Sequence, residues 1–126
     1  MTATAGKSAN GQMAYHAGLS AEDCVSSDYE RRGFSVGWRR WRGTAGEIDL
    51  IARDGDGFIF IEVKKSRSFD RAVQRVSPRQ MQRIYVAGEE FLGQTPRGTL
   101  TNVRFDVALV NDFGEVKIIE NAFGHG

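Results

Sequence analysis

Two apolar runs, Glu47 to Arg53 and Phe58 to Lys64, flank the tetrapeptide Asp-Gly-Asp-Gly, and no other feature limits the possible folds of this chain so strongly. Short runs rich in Ile and Phe suit strands, and a brief Gly/Asp connection suits a hairpin turn. Pairing the runs symmetrically sets Arg53 against Phe58, Asp49 against Glu62 and Glu47 against Lys64. Side chains alternate between faces with period two. Glu47, Asp49, Glu62 and Lys64 therefore share one face, while Ile48, Leu50, Ile59, Ile61 and Val63 take the other and supply core. Ile51, Phe58 and Phe60 fall on the charged face and make its surroundings apolar.

Opposed carboxylates repel, and in apolar surroundings an uncompensated pair is costly. A divalent cation would offset both effects. The chain has one cysteine, Cys24, and two histidines, with no Cys/His cluster, so oxygen ligands must hold any ion. Mg²⁺ or Mn²⁺ suits such a set: the Asp49 and Glu62 carboxylates with a backbone carbonyl, that of Val63. An ion placed there would polarise a phosphoryl oxygen and lower the pKa of a bound water. Lys64, on the same face, would either orient the attacking water or neutralise the phosphate. A bare Asp…Glu-x-Lys pattern also fits a solvent-facing hairpin; the apolar neighbours count against that reading.

The rest of the chain supplies elements to cover this hairpin. Ser20-Ala-Glu-Asp is a capping box opening a helix that ends near Gly33, with Ala21, Cys24, Val25 and Tyr29 on its apolar face. Residues 34 to 42 read as a strand with Phe34, Val36 and Trp38 on one face and Trp41 on the other. Lys65 to Val76 is basic and aperiodic, a loop. Ser77-Pro-Arg-Gln opens a second helix with a cap, proline at its first position and a capping-box glutamine. Met81, Ile84, Tyr85, Gly88, Phe91 and Leu92 recur along it at three-and-four spacing. Strands are predicted at Val103 to Val110 and Glu115 to Glu120. This order predicts an α/β fold, one mixed sheet with helices against it. The expected organisation is a tail at 1–17, one domain at 18–121 and a tail at 122–126. No apolar run approaches the roughly 20 residues that span a bilayer, and Met1 to His16 lacks the apolar centre of a signal peptide. A soluble cytoplasmic protein without a membrane partner is expected.

The formal net charge of +1 conceals an uneven distribution. Arg31 to Arg42 holds five arginines and no acid, and Lys64 to Arg83 holds seven basic residues against Asp70 alone. Patches of this kind attract phosphate locally. Trp38-Arg-Arg-Trp-Arg interleaves aromatic and cationic groups as a strand tracking a nucleic-acid backbone would. Arg39, Arg40, Trp41 and Arg42, with Lys65 and Arg67, are the candidate contacts. Arg79 and Arg83, one helical turn apart, either form a phosphate rail or solvate the outer face of the helix. Asp106 is expected to be structural, paired with an arginine, and Cys24 a small core residue. His16 and His125 are not catalytic candidates.

Gly46-Glu-Ile-Asp-Leu-Ile-Ala52, then Phe60-Ile-Glu-Val-Lys64 and Arg104-Phe-Asp-Val107, closely resemble the YraN-type family of predicted endonucleases, within the PD-(D/E)XK superfamily and similar to archaeal Holliday-junction resolvases. The resemblance covers roughly residues 17 to 120. It implies a restriction-endonuclease-like fold, Mg²⁺-dependent hydrolysis of DNA phosphodiesters, Asp49, Glu62 and Lys64 as the catalytic set, and Glu22 as an additional metal ligand. Arg40 stands where the family often has asparagine, and Gln80 where it often has lysine. Symmetric cutting of two strands would require a homodimer. The rival expectation is a non-catalytic module on the same fold that binds DNA or protein.

Overall fold

The computed structural model describes residues 20–122. The tail expected at 1–17, residues 123–126, His16 and His125 lie outside them. In chain order the elements are α1 (Ala21–Arg31), β1 (Ser35–Arg42), β2 (Glu47–Asp54), β3 (Gly57–Lys65), α2 (Phe69–Val73), α3 (Pro78–Leu92), a 3₁₀ turn (Gly98–Leu100), β4 (Val103–Val110) and β5 (Val116–Ile119). The strands form one sheet in the order β1-β2-β3-β4-β5, with β3 and β4 parallel and the other pairs antiparallel. A parallel pair needs a crossover, and here the crossover carries α2 and α3. The result is the expected α/β architecture, a mixed sheet flanked by helices and consistent with a restriction-endonuclease-like fold.

Each face of the sheet buries its own core. Val25 and Tyr29 of α1 pack with Leu50, Ala52, Ile59, Ile61, Ala108 and Val110. On the opposite face Ile84, Ala87, Phe91 and Leu92 of α3 pack with Ile48, Ile51, Phe60, Phe105, Val107 and Leu109. Gly88 lets α3 approach the sheet closely, since a Cβ there would stand 3.1 Å from the Phe60 ring.

The hairpin register is as the sequence predicts from Arg53 opposite Phe58 to Leu50 opposite Ile61. The turn narrows to Gly55-Asp56, because Asp54 pairs with Gly57. Gly55 takes φ +59° at the first corner, a conformation that costs glycine little.

Strand alternation fails in two places. The β1–β2 register slips at Gly37, between Val36 opposite Ala52 and Trp38 opposite Ile51. That bulge turns Trp38 to the α3 face, away from Phe34 and Val36, which pack on the α1 face. The second break lies where Arg40 would meet Asp49. Arg40 adopts φ +52°, so Trp38 and Trp41, three apart, share the α3 face, as do Ile48 and Ile51 on β2. Trp41 therefore does not oppose Trp38, and Ile48 does not accompany Leu50. Asparagine tolerates a left-handed backbone better than arginine does.

Two smaller expectations are corrected. The 65–76 segment is not wholly loop: Ser68 caps α2 by accepting from the Arg71 amide, and Ala72 is buried in the α3-side core. Five residues are too few to show helical periodicity against a basic background. Ser77 does accept from the Gln80 amide, but the Gln80 side chain is committed elsewhere.

Candidate active site

The β2–β3 ladder ends at Leu50 opposite Ile61, and the next residues outward are Asp49 and Glu62. The Val63 amide donates to Asp49 Oδ2 at 2.8 Å, so a side chain takes the place of a strand carbonyl where the hairpin opens. Glu62 is 5 % exposed. Its Oε2 accepts from Gln80 Nε2 at 2.5 Å and lies 3.1 Å from Lys64 Nζ. Three elements thus meet at the pair: β2 brings Asp49, β3 brings Glu62 and Lys64, and the first turn of α3 brings Gln80.

Burial governs the electrostatics. The Glu62 carboxyl is pushed up to about 7, first by desolvation and then by the charge of Asp49, with Lys64 pulling the other way. Asp49 is also raised, chiefly by desolvation, with the Val63 amide opposing. Asp49 thus raises the cost of ionising Glu62 on top of the cost of burial, and both are harder to ionise than free carboxylates. A divalent ion would offset both costs. Asp49 Oδ2 and Glu62 Oε2 are held by the scaffold, and the second oxygen of each carboxyl lies outside those bonds. The donor set, half-buried at Asp49, buried at Glu62 and all oxygen, is of the kind that Mg²⁺ or Mn²⁺ takes.

Glu22 is not assembled with them. Its Oε1 accepts from Arg40 Nε at 3.0 Å, and among the described residues no group of three or more His, Cys, Asp or Glu is arranged to hold a metal. Its charge nonetheless reaches Asp49. Glu47, expected on the same face, is exposed and pairs with Arg42 at 3.2 Å.

The basic residues fall into two groups. Arg39 pairs with Asp23, Arg40 with Glu22 and Arg42 with Glu47. The first arginine window therefore lies against acids of α1 and β2. Trp41 is partly buried, its ring edge-on to Phe91 at 5.4 Å. Lys65, Arg67, Arg79 and Arg83 are exposed, and among the described residues no ion pair involves Arg79 or Arg83. Arg83 lies over the β1–β2 turn, where a Cβ on Gly46 would stand 3.8 Å from its Cδ.

A model of the family described as uncharacterised protein family UPF0102 matches residues 21–110. The chain belongs to UPF0102. A family member from Roseobacter denitrificans is 55% identical over 116 residues, covering 92% of this chain and 90% of its own. One from Ruegeria pomeroyi is 57% identical over 110 residues, covering 87% and 89%. One from Cereibacter sphaeroides is 60% identical over 114 residues, covering 90% and 97%. This is the YraN-type group that the Gly-Glu-Ile-Asp and Glu-Val-Lys strings resemble. The matched segment contains every residue of the site, from Glu22 to Gln80.

Gln80 is the contact that sequence reasoning missed. Its place at the third helical position marked it as a capping residue, and nothing local says that the side chain reaches across to β3. Asp106, by contrast, has the structural role expected of it. It is fully buried and accepts from Tyr29 Oη at 2.6 Å, from both arms of Arg104 at 2.9 and 3.0 Å, and from the Asn121 amide at 2.9 Å. A cavity of about 580 Å³ lined by Tyr85, Val86, Val103 and Phe105 includes none of Asp49, Glu62 and Lys64. Among the described residues no helix is long and apolar enough to cross a membrane.

Proposed function

We propose that this chain is a metal-dependent endonuclease that hydrolyses DNA phosphodiester bonds, branched DNA among its candidate substrates, acting in the cytoplasm. The observation that carries the reading is the buried Glu62 carboxyl beside the half-buried Asp49, with Lys64 Nζ 3.1 Å from Glu62. A carboxyl pair that is partly desolvated and repels itself costs the fold stability, and such costs cluster at functional sites.

Asp49 and Glu62 would hold Mg²⁺ or Mn²⁺, with the Val63 carbonyl as a further oxygen donor. When bound, the ion supplies Lewis acidity toward the phosphoryl oxygen and a water of lowered pKa. The Val63 amide fixes Asp49 Oδ2, and Gln80 with Lys64 fixes Glu62 Oε2, so both carboxylates are oriented before substrate arrives. Glu62, with its pKa near 7, can take up or release a proton at neutral pH. The Lys64 ammonium, its side chain only 14% exposed, presents a positive charge to the scissile phosphate in sheltered surroundings. Arg39, Arg40, Arg42, Lys65, Arg67, Arg79 and Arg83 would contact the flanking backbone, with Trp41 beside them. Symmetric cutting of both strands would take two copies of the chain.

A second reading, a DNA- or protein-binding module without catalysis, draws on one observation: the described residues contain no three-acid group arranged for a metal. Labelled duplex, single-stranded and four-way-junction DNA, incubated with Mg²⁺, Mn²⁺ or EDTA, separates the two. Metal-dependent cleavage by the full chain, lost in Lys64→Ala, supports the nuclease. Binding of the same DNA with no cleavage in either metal supports the module.

A further inference from the structure

Arg40 occupies an unusual position among the basic residues. It is a non-glycine residue with φ +52°, a conformation that costs an ordinary side chain free energy and recurs where function requires it. The kink places it at the β1–β2 step opposite Asp49, between Arg39 opposite Leu50 and Trp41 opposite Ile48. Its Nε donates to Glu22 Oε1 at 3.0 Å, and its side chain is 66% exposed against 20% for Glu22. The Arg40 pKa is raised by the Glu22 hydrogen bond and charge, and further by Glu47 and Asp49. The guanidinium thus holds Glu22 by a hydrogen bond and also feels the charges of Glu47 and of Asp49, a carboxylate of the candidate active site. Glu22 is the sheltered partner, and its charge already reaches Asp49. Neither Arg39, paired with Asp23, nor Arg42, paired with Glu47, bridges α1 to the Asp49 step.

We propose that Arg40 is a positioning residue that acts as a latch: it holds Glu22 apart from Asp49 and Glu62 until a backbone phosphate of the nucleic acid takes the guanidinium, freeing Glu22 to join the metal site. This rests on the nuclease reading above and deepens it, because the third carboxylate becomes available only when substrate is present. The exchange makes and breaks no covalent bond. A guanidinium moves from a carboxylate to a phosphate, which it binds bidentately with equal ease. The released carboxylate gains a cation in place of the arginine. Binding of polyanion and of divalent ion is thereby coupled, and the coupling is reciprocal.

The test uses the full chain, Mn²⁺ as probe and the variants Arg40→Asn, Glu22→Gln/Arg40→Asn and Asp49→Asn. Asparagine suits the left-handed backbone, so the first variant retains the local fold. Mn²⁺ uptake is followed by electron paramagnetic resonance, and the number of waters on the bound ion by electron–nuclear double resonance. Arg40→Asn is expected to tighten Mn²⁺ binding by about fivefold or more and to remove one bound water. The double variant is expected to restore the wild-type water count. A merely structural or long-range electrostatic role for Arg40 would leave that count unchanged, and this result overturns the latch. In EDTA, Arg40→Asn should weaken binding of a short DNA duplex and reduce the slope of log affinity against log salt by about 1. An unchanged slope overturns the exchange with phosphate. Mn²⁺ uptake that is lost in Asp49→Asn but indifferent to Arg40 sinks the latch and leaves the nuclease standing. No Mn²⁺ uptake by wild type or Arg40→Asn at millimolar concentration overturns both.

Discussion

Asp49 accepts the Val63 amide at 2.8 Å where the β2–β3 ladder has run out, so the residue that opens the hairpin is also the one that fixes half of the carboxyl pair. The bond ties the site's geometry to backbone rather than to a flexible neighbour. It also makes the cost of the site measurable, because the carboxylate can be neutralised without losing the acceptor.

Asp49→Asn retains an oxygen for Val63 and removes the repulsion that, after burial, raises Glu62. The metal-free protein should gain about 1–2 kcal/mol at pH 8, read by urea unfolding in EDTA, while DNA cleavage is lost. Reduced stability in this variant would show that the pair is not strained.

The pH dependence follows from Glu62. Its folded pKa is raised from 4.5 to about 7, so the protonated form is the one favoured by folding. That contribution is fully present below about pH 4.5 and disappears as pH rises through about 7. In EDTA, the stability of wild type relative to Glu62→Gln should fall by on the order of 2–3 kcal/mol between pH 4.5 and 8. Saturating Mg²⁺ should remove most of the fall at the alkaline end.

Gln80 is neutral and holds Glu62 Oε2 at 2.5 Å. Gln80→Lys would set a second cation beside the carboxylate and lower its pKa by about 1 unit or more. The acidic limb of the pH–rate profile for cleavage should move to lower pH by that amount. Gln80→Ala leaves Lys64 as the partner and should cost about 1 kcal/mol of stability, with cleavage reduced and not abolished.

Asp106 collects a phenol, a guanidinium and a backbone amide in a place without solvent. Asp106→Ala should destabilise by about 3 kcal/mol or more, because its donors lose their common acceptor. Tyr29→Phe removes one of those donors and should cost about 1 kcal/mol. Thermal or urea unfolding distinguishes the two, and equal effects would show that the cluster is not organised around the carboxylate.

The sequence foretold the hairpin register because Asp-Gly-Asp-Gly pins a turn, and a pinned turn decides which residues face each other. It also foretold both helix caps, since Ser20 and Ser77 signal locally. The strand irregularities were hidden because a period-two pattern of aromatic and charged residues is compatible with either face. Neither Gly37 as a bulge nor Arg40 as a left-handed residue changes the composition of β1. The arginine pairings were hidden for a different reason. Arg39 and Arg40 meet Asp23 and Glu22 only because α1 lies beside the end of the sheet, a tertiary fact that no local window contains.

The parallel β3–β4 pairing has a consequence for the time order of assembly. β2 and β3 are joined by two residues, and a hairpin of this kind closes within about 1–10 μs, whereas β4 must return across residues 66–102 before it can dock. Non-local closures of that sort slow folding. Asp49 and Glu62 can thus meet early, while still hydrated and at little cost, and their desolvation comes with the late docking of α3 and β4. The barrier to folding should on this account be sensitive to pH and to divalent ions in its final stage, leaving the earliest collapse indifferent to both.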